Sequence, residues 1–166
     1  MNLKENFSKK KNLLTKKENL YFVFLAIIIF ILDRLSKNKI IDDLNDSTYF
    51  FNNFINFDLI WNTGIGFGLM SSDSSIIYSS TTILIGLIIL ILSYVFLSFE
   101  TLDKFIFSII IGGAFGNFYD RIFYNAVPDF IDLHYNDLHW FTFNVADIFV
   151  SLGLIAFIVR DFFVKR

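Results

Sequence analysis

The chain has no cysteine, one proline and eight glycines in 166 residues. The missing cysteine excludes a thiol nucleophile, a disulfide framework and a thiolate metal site. The net charge is only -2, so the composition shows no strong bias toward acidic or basic partners. Apolar residues are abundant instead: 55% of the chain is hydrophobic and the mean hydropathy is +0.58.

The apolar residues form long runs, and a spanning helix needs about 20 mostly apolar residues. The run at 76–99 contains no charge, 105–119 is apolar up to the Asp120-Arg121 pair, and 141–164 has few polar interruptions. The sequence therefore predicts an all-α membrane protein of one domain, 1–166. Its four transmembrane helices are expected near 17–37, 76–99, 104–123 and 143–164.

The first apolar run, 20–32, is short and spans a bilayer only if Lys16 and Lys17 extend toward one interface. A signal peptide is the alternative, because basic residues precede a short apolar core. No small-residue cleavage site follows, since the next residues are DRLSK. The sequence therefore favours an uncleaved spanning helix.

Charge is distributed unevenly along the chain. The segment 38–75 has one lysine against five aspartates, and 122–159 has no Lys or Arg. Basic residues concentrate in the tail 1–19, in the link after the second run and at the C-terminus: Lys4, Lys9, Lys10, Lys11, Lys16, Lys17, Lys104, Arg160, Lys165 and Arg166. The positive-inside rule then places both termini in the cytoplasm, with outer loops near 38–75 and 124–142. A basic tail also suits nucleic acid, but an orientation signal is the simpler interpretation, and we expect no nucleic-acid partner.

This topology collects the unusual polar residues at one face of the membrane. They are Asp33, Lys37, Asn62, Asn117, Asp120, Arg121, Asn144 and Asp147. Asp33 and Lys37 share a helix face because they lie four residues apart, and Asn117 and Arg121 do so for the same reason. Ionisable groups at membrane depth normally face the bundle interior and mark a functional site. The inner ends carry ordinary lysines and arginines.

Two short motifs suggest local structure. Gly112 and Gly116 form a small-xxx-small pair, which predicts close packing of the third helix against a neighbour. INFDLIWN at 55–62 alternates apolar and polar residues, which predicts a half-buried strand in the first outer loop. The following GIGFG resembles a phosphate loop only superficially, because the lysine and the strand–loop–helix context are missing. We interpret it as a turn at the membrane surface.

Two kinds of catalytic site are disfavoured by the sequence. His134 and His139 lie in a polar loop without a helical i,i+4 pair, so zinc is a minor alternative to histidines with no catalytic role. Ser36 and Lys37 are adjacent on a helix and point in different directions, which is poor geometry for a serine nucleophile and its base. We therefore expect neither a metal nor another cofactor.

Carboxylates are the remaining candidates. Two Asp side chains at a partly dehydrated interface share a proton, so that one takes a proton from water while the other hydrogen-bonds the scissile carbonyl. Asp147 is the best single candidate, because it lies in the first turns of an apolar helix. Spacing does not choose its partner. Asp129 follows Pro128 in a non-helical segment that could fold over the bundle, whereas Asp120 could be neutralised by Arg121.

Five motifs in this order resemble lipoprotein signal peptidase, also called signal peptidase II. LDRLSK at 32–37 resembles D-x-x-x-K, and WNTGIGFG at 61–68 resembles N-x-G-x-x-F. GGAFGNFYDR at 112–121 resembles G-G-A-x-G-N-x-x-D-R, VPDFID at 127–132 resembles V-x-D-F, and FNVADIFVSLG at 143–153 resembles F-N-x-A-D-x-x-x-x-x-G. The one departure is Gly66, where the family usually carries Ala; it is not a catalytic position.

The resemblance implies a membrane aspartic endopeptidase that removes signal peptides from diacylglyceryl-modified bacterial prolipoproteins. It implies cleavage on the amino side of the lipidated Cys, at the outer face of the inner membrane. Carried over to this chain, it makes Asp129 and Asp147 the catalytic pair and the strand-like first outer loop a cradle on the membrane surface. The other site residues would position substrate or support the pair: Asn62, Asn117, Arg121 and Asn144, then Asp33, Lys37 and Asp120. The expected partners are the lipidated precursor and membrane lipid.

Two other functions fit parts of the pattern. A small ion or proton transporter also has intramembrane Asp and Lys, but it would distribute polar groups through the bilayer depth. The inner halves of the last three helices are nearly all apolar, which argues against a transporter. A non-catalytic assembly subunit could use Asp and Arg only to pair with partner helices. Cleavage of a lipidated precursor would separate these three functions.

Overall fold

A computed structural model describes residues 16–44, 47–64, 75–136 and 138–163. In chain order it contains α1 (Lys17–Leu44), β1 (Tyr49–Asn52), β2 (Ile55–Asn62), α2 (Ser75–Phe96), α3 (Thr101–Phe123), β3 (Val127–Tyr135), β4 (Leu138–Phe143) and α4 (Val145–Phe163). The lysine-rich stretch before residue 16 and the glycine-rich turn with Gly66 lie outside these ranges. The predicted architecture of four helices with a β-containing cradle is therefore present in outline.

Helix α3 is the centre of the bundle, since it packs against α1, α2 and α4. Its glycines make this possible. A methyl group on Gly112 would lie 2.7 Å from the backbone oxygen of Ala26 in α1, and one on Gly113 would lie 2.6 Å from that of Ala146 in α4. The close approach predicted from Gly112 and Gly116 is thus observed on two sides of the helix.

The outer faces of the helices are apolar. Within the described ranges, α1 and residues 76–96 of α2 each contain an 18-residue stretch apolar enough to cross a membrane, with mean hydropathies of 1.9 and 2.3. Ile83, Leu87 and Leu90 of α2 are all more than half exposed. Helices α3 and α4 are 23 and 19 residues long, and each carries charged residues near both of its ends: Asp103 and Arg121 in α3, and Asp147 and Arg160 in α4. So much exposed apolar surface is typical of a protein that lies in lipid.

The strands form one antiparallel sheet in the order β1-β2-β3-β4. Ile55 pairs with Leu133 and Asn62 with Val127, so the two connecting loops join along β2 and β3. The strand predicted at 55–62 is confirmed with the same bounds. The second connection, predicted as a loop near 124–142, also forms strands, because its residues pair with β2 and fold back as a hairpin through Asn136, whose φ is 52°. The cradle is therefore built from both connections.

Helix α1 continues past the predicted end near residue 37. The turns beyond Lys37 carry Asp42 and Asp43, so hydropathy alone ends the helix too early. Leu44 is buried, and its carbonyl accepts hydrogen bonds from the backbone N–H and the hydroxyl of Ser47. These bonds satisfy a carbonyl that the helix end leaves free. The first connection consequently begins after residue 44.

Candidate active site

The start of α4 is held by a reciprocal capping arrangement. The side-chain oxygen of Asn144 accepts a hydrogen bond from the backbone N–H of Asp147 at 3.1 Å. The Asp147 carboxylate in return accepts one from the backbone N–H of Asn144 at 3.2 Å. This pattern satisfies two backbone donors at a helix N-terminus, and it fixes the side chain of Asp147. It also leaves a negative charge where the helix dipole favours one.

Strand β3 brings Asp129 to the same place. Asp129 is 2% exposed, and each of its carboxylate oxygens accepts a hydrogen bond from an asparagine amide. The Asn62 amide at the end of β2 donates at 2.8 Å, and the Asn144 amide donates at 2.5 Å. Asn144 thus contacts both Asp129 and Asp147, which lie on different elements of the fold.

The environment of Asp129 alters its protonation. Burial and the nearby charge of Asp147 raise the pKa of Asp129 to about 6, although the hydrogen bonds from Asn62 and Asn144 oppose the shift. Burial disfavours the charged form of a carboxyl group, and a second carboxylate does so too. A proton is therefore shared in this region at a pH where an isolated Asp is fully ionised.

A cluster of buried charges lies directly behind Asp147. The Lys37 ammonium donates to Asp33 at 2.9 Å, to Asn117 at 2.8 Å and to Asp120 at 2.7 Å. The Asn117 amide in turn donates to Asp147 at 2.7 Å. Because Asp33, Lys37 and Asp120 are fully buried, each charge depends on these partners.

Asp33 connects this cluster to the backbone of α4. Its other carboxylate oxygen accepts a hydrogen bond from the backbone N–H of Ala146 at 2.9 Å. Asp33 of α1 fits against α3 here because residue 116 of α3 is a glycine. A methyl group added to Gly116 would collide with the Asp33 carboxylate. Asp33 therefore satisfies a second free donor at the N-terminus of α4.

The expected pairing of Asp120 with Arg121 is wrong. Asp120 pairs with Lys37 and with Arg34, whose guanidinium lies 2.5 Å from it. Adjacent helical residues point in different directions, so Arg121 projects elsewhere. Arg121 donates to the carbonyl of Gly64 and lies over the ring of Tyr78. Its other terminal nitrogen is buried and has no acceptor in the part of the chain that the structure describes.

Two features of the site were missed by sequence reasoning. Arg34 contacts both Asp33 and Asp120, although only its position beside Asp33 and three residues before Lys37 could have suggested this. The asparagines were expected to face substrate, yet those at 62, 117 and 144 donate to the carboxylates of Asp129 and Asp147. The sequence indicated a contact with substrate and gave no sign that these amides bind the two carboxylates.

The residues of the two disfavoured sites, the Ser36–Lys37 pair and the two histidines, make other contacts. The Ser36 hydroxyl donates to the backbone carbonyl of Asp33 at 2.8 Å, away from Lys37. His139 lies 2.7 Å from the carboxylate of Asp132, and its ring stacks on that of His134. Among the described residues, no group of three His, Cys, Asp or Glu side chains is arranged to hold a metal ion.

The nine residues predicted for the site thus lie at one end of the bundle, beneath the sheet. Eight of them are linked by hydrogen bonds into one network: Asp33, Lys37, Asn62, Asn117, Asp120, Asp129, Asn144 and Asp147. Arg121 lies beside them, with Gly64 as its contact.

Known proteins resemble this chain in sequence. It is 47% identical over 150 residues to the lipoprotein signal peptidase of Pelagibacter ubique (strain HTCC1062), covering 88% of this chain and 90% of that protein. It is 34% identical over 151 residues to the lipoprotein signal peptidase of Anaplasma phagocytophilum (strain HZ), covering 87% and 94%.

Solved structures resemble it in fold. A bacterial membrane enzyme determined by the in meso method at 2.3 Å superposes with a TM-score of 0.75 at 25% identity, covering 88% of this chain and 92% of the other. A second, at 1.9 Å, gives a TM-score of 0.72 at 24% identity, covering 87% and 93%. The family model of signal peptidase (SPase) II matches residues 25–163. With the site at one end of four helices under a four-stranded sheet, the chain belongs to the signal peptidase II family.

Proposed function

We propose that Asp129 and Asp147 are the catalytic dyad of this membrane protease. As a signal peptidase II, the chain removes signal peptides from prolipoproteins. The observation that supports the dyad is the shared contact through Asn144, whose side-chain amide donates to the Asp129 carboxylate and whose backbone N–H donates to the Asp147 carboxylate. Asparagine donors and burial then give the two acids unequal surroundings, which acid–base chemistry requires.

In the proposed reaction, a water molecule lies between the two carboxyl groups and the scissile peptide. The ionised carboxylate takes a proton from the water, whose oxygen forms a bond to the carbonyl carbon. The protonated carboxyl donates its proton to the carbonyl oxygen, giving a neutral tetrahedral diol. The carboxyl that took the proton from water then donates it to the peptide nitrogen, while the other carboxylate takes a proton back from one hydroxyl of the diol. The C–N bond breaks on the amino side of the lipidated cysteine, which leaves a free amino group on the cysteine and a carboxyl group at the end of the released signal peptide.

The substrate chemistry explains the depth of the site. A diacylglyceryl group and an apolar signal helix are both embedded in lipid, so the peptide bond between them lies near the membrane surface. The proposed dyad lies on strand β3 and at the start of α4, at the end of the bundle that the sheet covers, which is the depth that this substrate needs. We propose that this end faces the outside of the bacterial inner membrane, that four helices span it and that both termini are cytoplasmic.

Arg121 is our candidate for contact with substrate. Its guanidinium has a buried nitrogen that lacks an acceptor within the described residues, and a peptide carbonyl could supply one. Asn62, Asn117 and Asn144 would act on substrate mainly by holding the carboxylates in place. Asp33, Lys37 and Asp120 would support them from behind.

The dyad is tested by cleavage of a diacylglyceryl-modified prolipoprotein with purified protein in detergent. Asp129→Asn and Asp147→Asn each keep the shape of the side chain and remove the carboxylate, so each should reduce kcat by a factor of about 10⁴ or more. Asp132→Asn is the matched control, because Asp132 is buried on the same strand but contacts His139. Normal cutting by either dyad variant would exclude that residue as catalytic.

The orientation is tested with single cysteines, since the natural chain has none. Ser47 and Ser98 are both exposed serines in turns at opposite ends of the bundle. A membrane-impermeant maleimide should label Ser47→Cys in intact spheroplasts and Ser98→Cys only after permeabilisation. The reverse pattern would place the proposed dyad on the cytoplasmic side.

A further inference from the structure

Lys37 is a buried cation that the proposed mechanism does not use. Its ammonium group has three hydrogen atoms, and three acceptors surround it: Asp33, Asn117 and Asp120. An ammonium can only donate. The partner oxygen of Asn117 must therefore be its carbonyl oxygen, and the orientation of that amide is fixed by Lys37.

The fixed amide has a consequence at Asp147. Since the oxygen of Asn117 faces Lys37, its NH₂ group must face the carboxylate of Asp147, 2.7 Å away. The second oxygen of Asp147 accepts from the backbone N–H of Asn144, which also can only donate. Both contacts favour an ionised carboxylate, because hydrogen bonds to the charged form stabilise it.

Within the described residues, neither amide donor of Asp129 is hydrogen-bonded to a cation. Its two donors, Asn62 and Asn144, are oriented by the neutral backbone N–H groups of Gly64 and Asp147. The two acids thus differ in the groups that orient their amide donors. The donor to Asp147 accepts from a buried ammonium, whereas the donors to Asp129 accept from neutral peptide N–H groups. This asymmetry favours the charged form of Asp147 over that of Asp129.

We infer that Lys37, acting through Asn117, is a positioning residue that keeps Asp147 as the ionised base and leaves the proton on Asp129. This inference rests on the proposed dyad. Lys37 does not touch substrate in it; it sets the direction of one amide and supplies the positive charge behind it. Other charged groups act on Asp147 as well: Asp129 from β3 and Asp33 from α1.

Arg34 provides a matched control for Lys37. It is a cation on the same helix and contacts the same two acids, Asp33 and Asp120, but it makes no contact with Asn117. Lys37→Met and Arg34→Met each remove one positive charge from the cluster. A role limited to stability predicts similar effects of the two substitutions on cleavage.

The experiment is the pH dependence of kcat/KM for prolipoprotein cleavage by wild type, Lys37→Met and Arg34→Met. In Lys37→Met the acid limb should move up by about one pH unit, because the dyad then takes up its second proton more readily. The kcat should fall at least about tenfold. Arg34→Met should leave the acid limb near its wild-type position while lowering stability. Equal shifts for both variants would overturn the inference.

A double-mutant cycle tests the route through Asn117. If Lys37 acts through that amide, Lys37→Met with Asn117→Ala should lose no more activity than the more damaging single substitution. Additive losses would mean that the two residues act separately. Should Lys37→Met not fold, the charge-balanced Lys37→Met/Asp120→Asn variant serves in its place.

The failure of this inference differs from a failure of the dyad. If Asp147→Asn is inactive but the acid limb of Lys37→Met is unmoved, the dyad stands and the role of Lys37 is wrong. If Asp147→Asn cuts normally, the proposed dyad itself is wrong, whatever the pH profile of Lys37→Met.

Discussion

The same helices are joined by polar contacts at both ends of the bundle, in very different ways. At the site end, α1 and α3 meet through Lys37 and Asp120, which are fully buried. At the far end they meet through Glu18 and Lys104 at 3.3 Å, where the Glu18 side chain is 42% exposed. Helices α3 and α4 also meet at both ends, through Asn117 and Asp147 at the site end and through Asp103 and Arg160 at the far end, and both of these pairs are partly buried.

The far-end contacts show that joining these helices does not require a dry network of charges. Removing ions from water costs several kcal/mol each, and their mutual attraction rarely returns more than that. The site end bears this cost for four connected ions, Asp33, Arg34, Lys37 and Asp120, to which the neutral Asn117 is hydrogen-bonded. Because the apolar core of the bundle lies around Ile106, Phe107 and Ile110, the network adds little to packing. Its position behind Asp147 is consistent with a role in chemistry.

The largest effect should come from breaking the site-end network. Asp120→Asn keeps the shape but leaves Lys37 and Arg34 with one fewer anion, so it should cost about 3–5 kcal/mol of stability. Glu18→Gln at the far end should lower the Tm in detergent much less, because the Glu18 side chain is 42% exposed to solvent. Equal loss of Tm in the two variants would mean that the two ends are energetically alike.

A smaller effect should follow from filling the space beside Asp33. A methyl group in Gly116→Ala would collide with the Asp33 carboxylate, so overpacking should cost about 1–3 kcal/mol and also reduce cleavage. Gly86→Ala is the control: its methyl group would lie 2.8 Å from the ring of Phe118, away from the network. It should lower Tm without reducing kcat in the protein that remains folded. Similar activity losses in both variants would contradict a specific role for the Asp33 position.

The sequence predicted the difference between the site end and the far end of the bundle only in part. Spacing brought Asp33 and Lys37 to one helix face, and topology collected the polar residues at one end. The same reasoning treated the far-end cations as ordinary, yet Lys104 is buried and Arg160 is paired with Asp103. Spacing within one helix reports which residues share a face, but it does not report which residue of another helix lies opposite. The partners of Asp120 therefore had to come from the packing of α1 on α3.

The second connection was harder to predict than the first. INFDLIWN alternates apolar and polar residues, whereas VPDFIDLHY is buried at six of the nine positions of β3, including its aspartates at 129 and 132. A strand that is covered on both faces lacks the alternation that identifies strands in sequence. The two aspartates of β3 can be buried because asparagine and histidine side chains from other elements contact them. The local sequence of β3 does not show these partners.

The pH dependence of cleavage tests the role of Asp129 at the site end. Asp129 has a pKa of about 6 in the folded protein, so the proton that the reaction needs is present below that value and is lost as pH rises through it. We therefore expect the alkaline limb of kcat/KM near pH 6 in the free enzyme. Asn62→Ala removes a hydrogen bond that lowers this pKa, so the limb should move up by as much as about one unit. An unchanged or lower limb would contradict the assignment of the proton to Asp129.

The smallest effect should come from the far-end pair of α3 and α4. Arg160→Met keeps an apolar stem of similar length and removes the guanidinium that lies 2.9 Å from Asp103. Because both side chains retain some exposure to solvent, the cost should be about 1 kcal/mol or less. Cleavage and its pH profile should match wild type, measured in the same detergent as the Lys37→Met variant. A shift of the acid limb in Arg160→Met would show that distant charge alone tunes the dyad, and the contrast between the two ends would then have no bearing on catalysis.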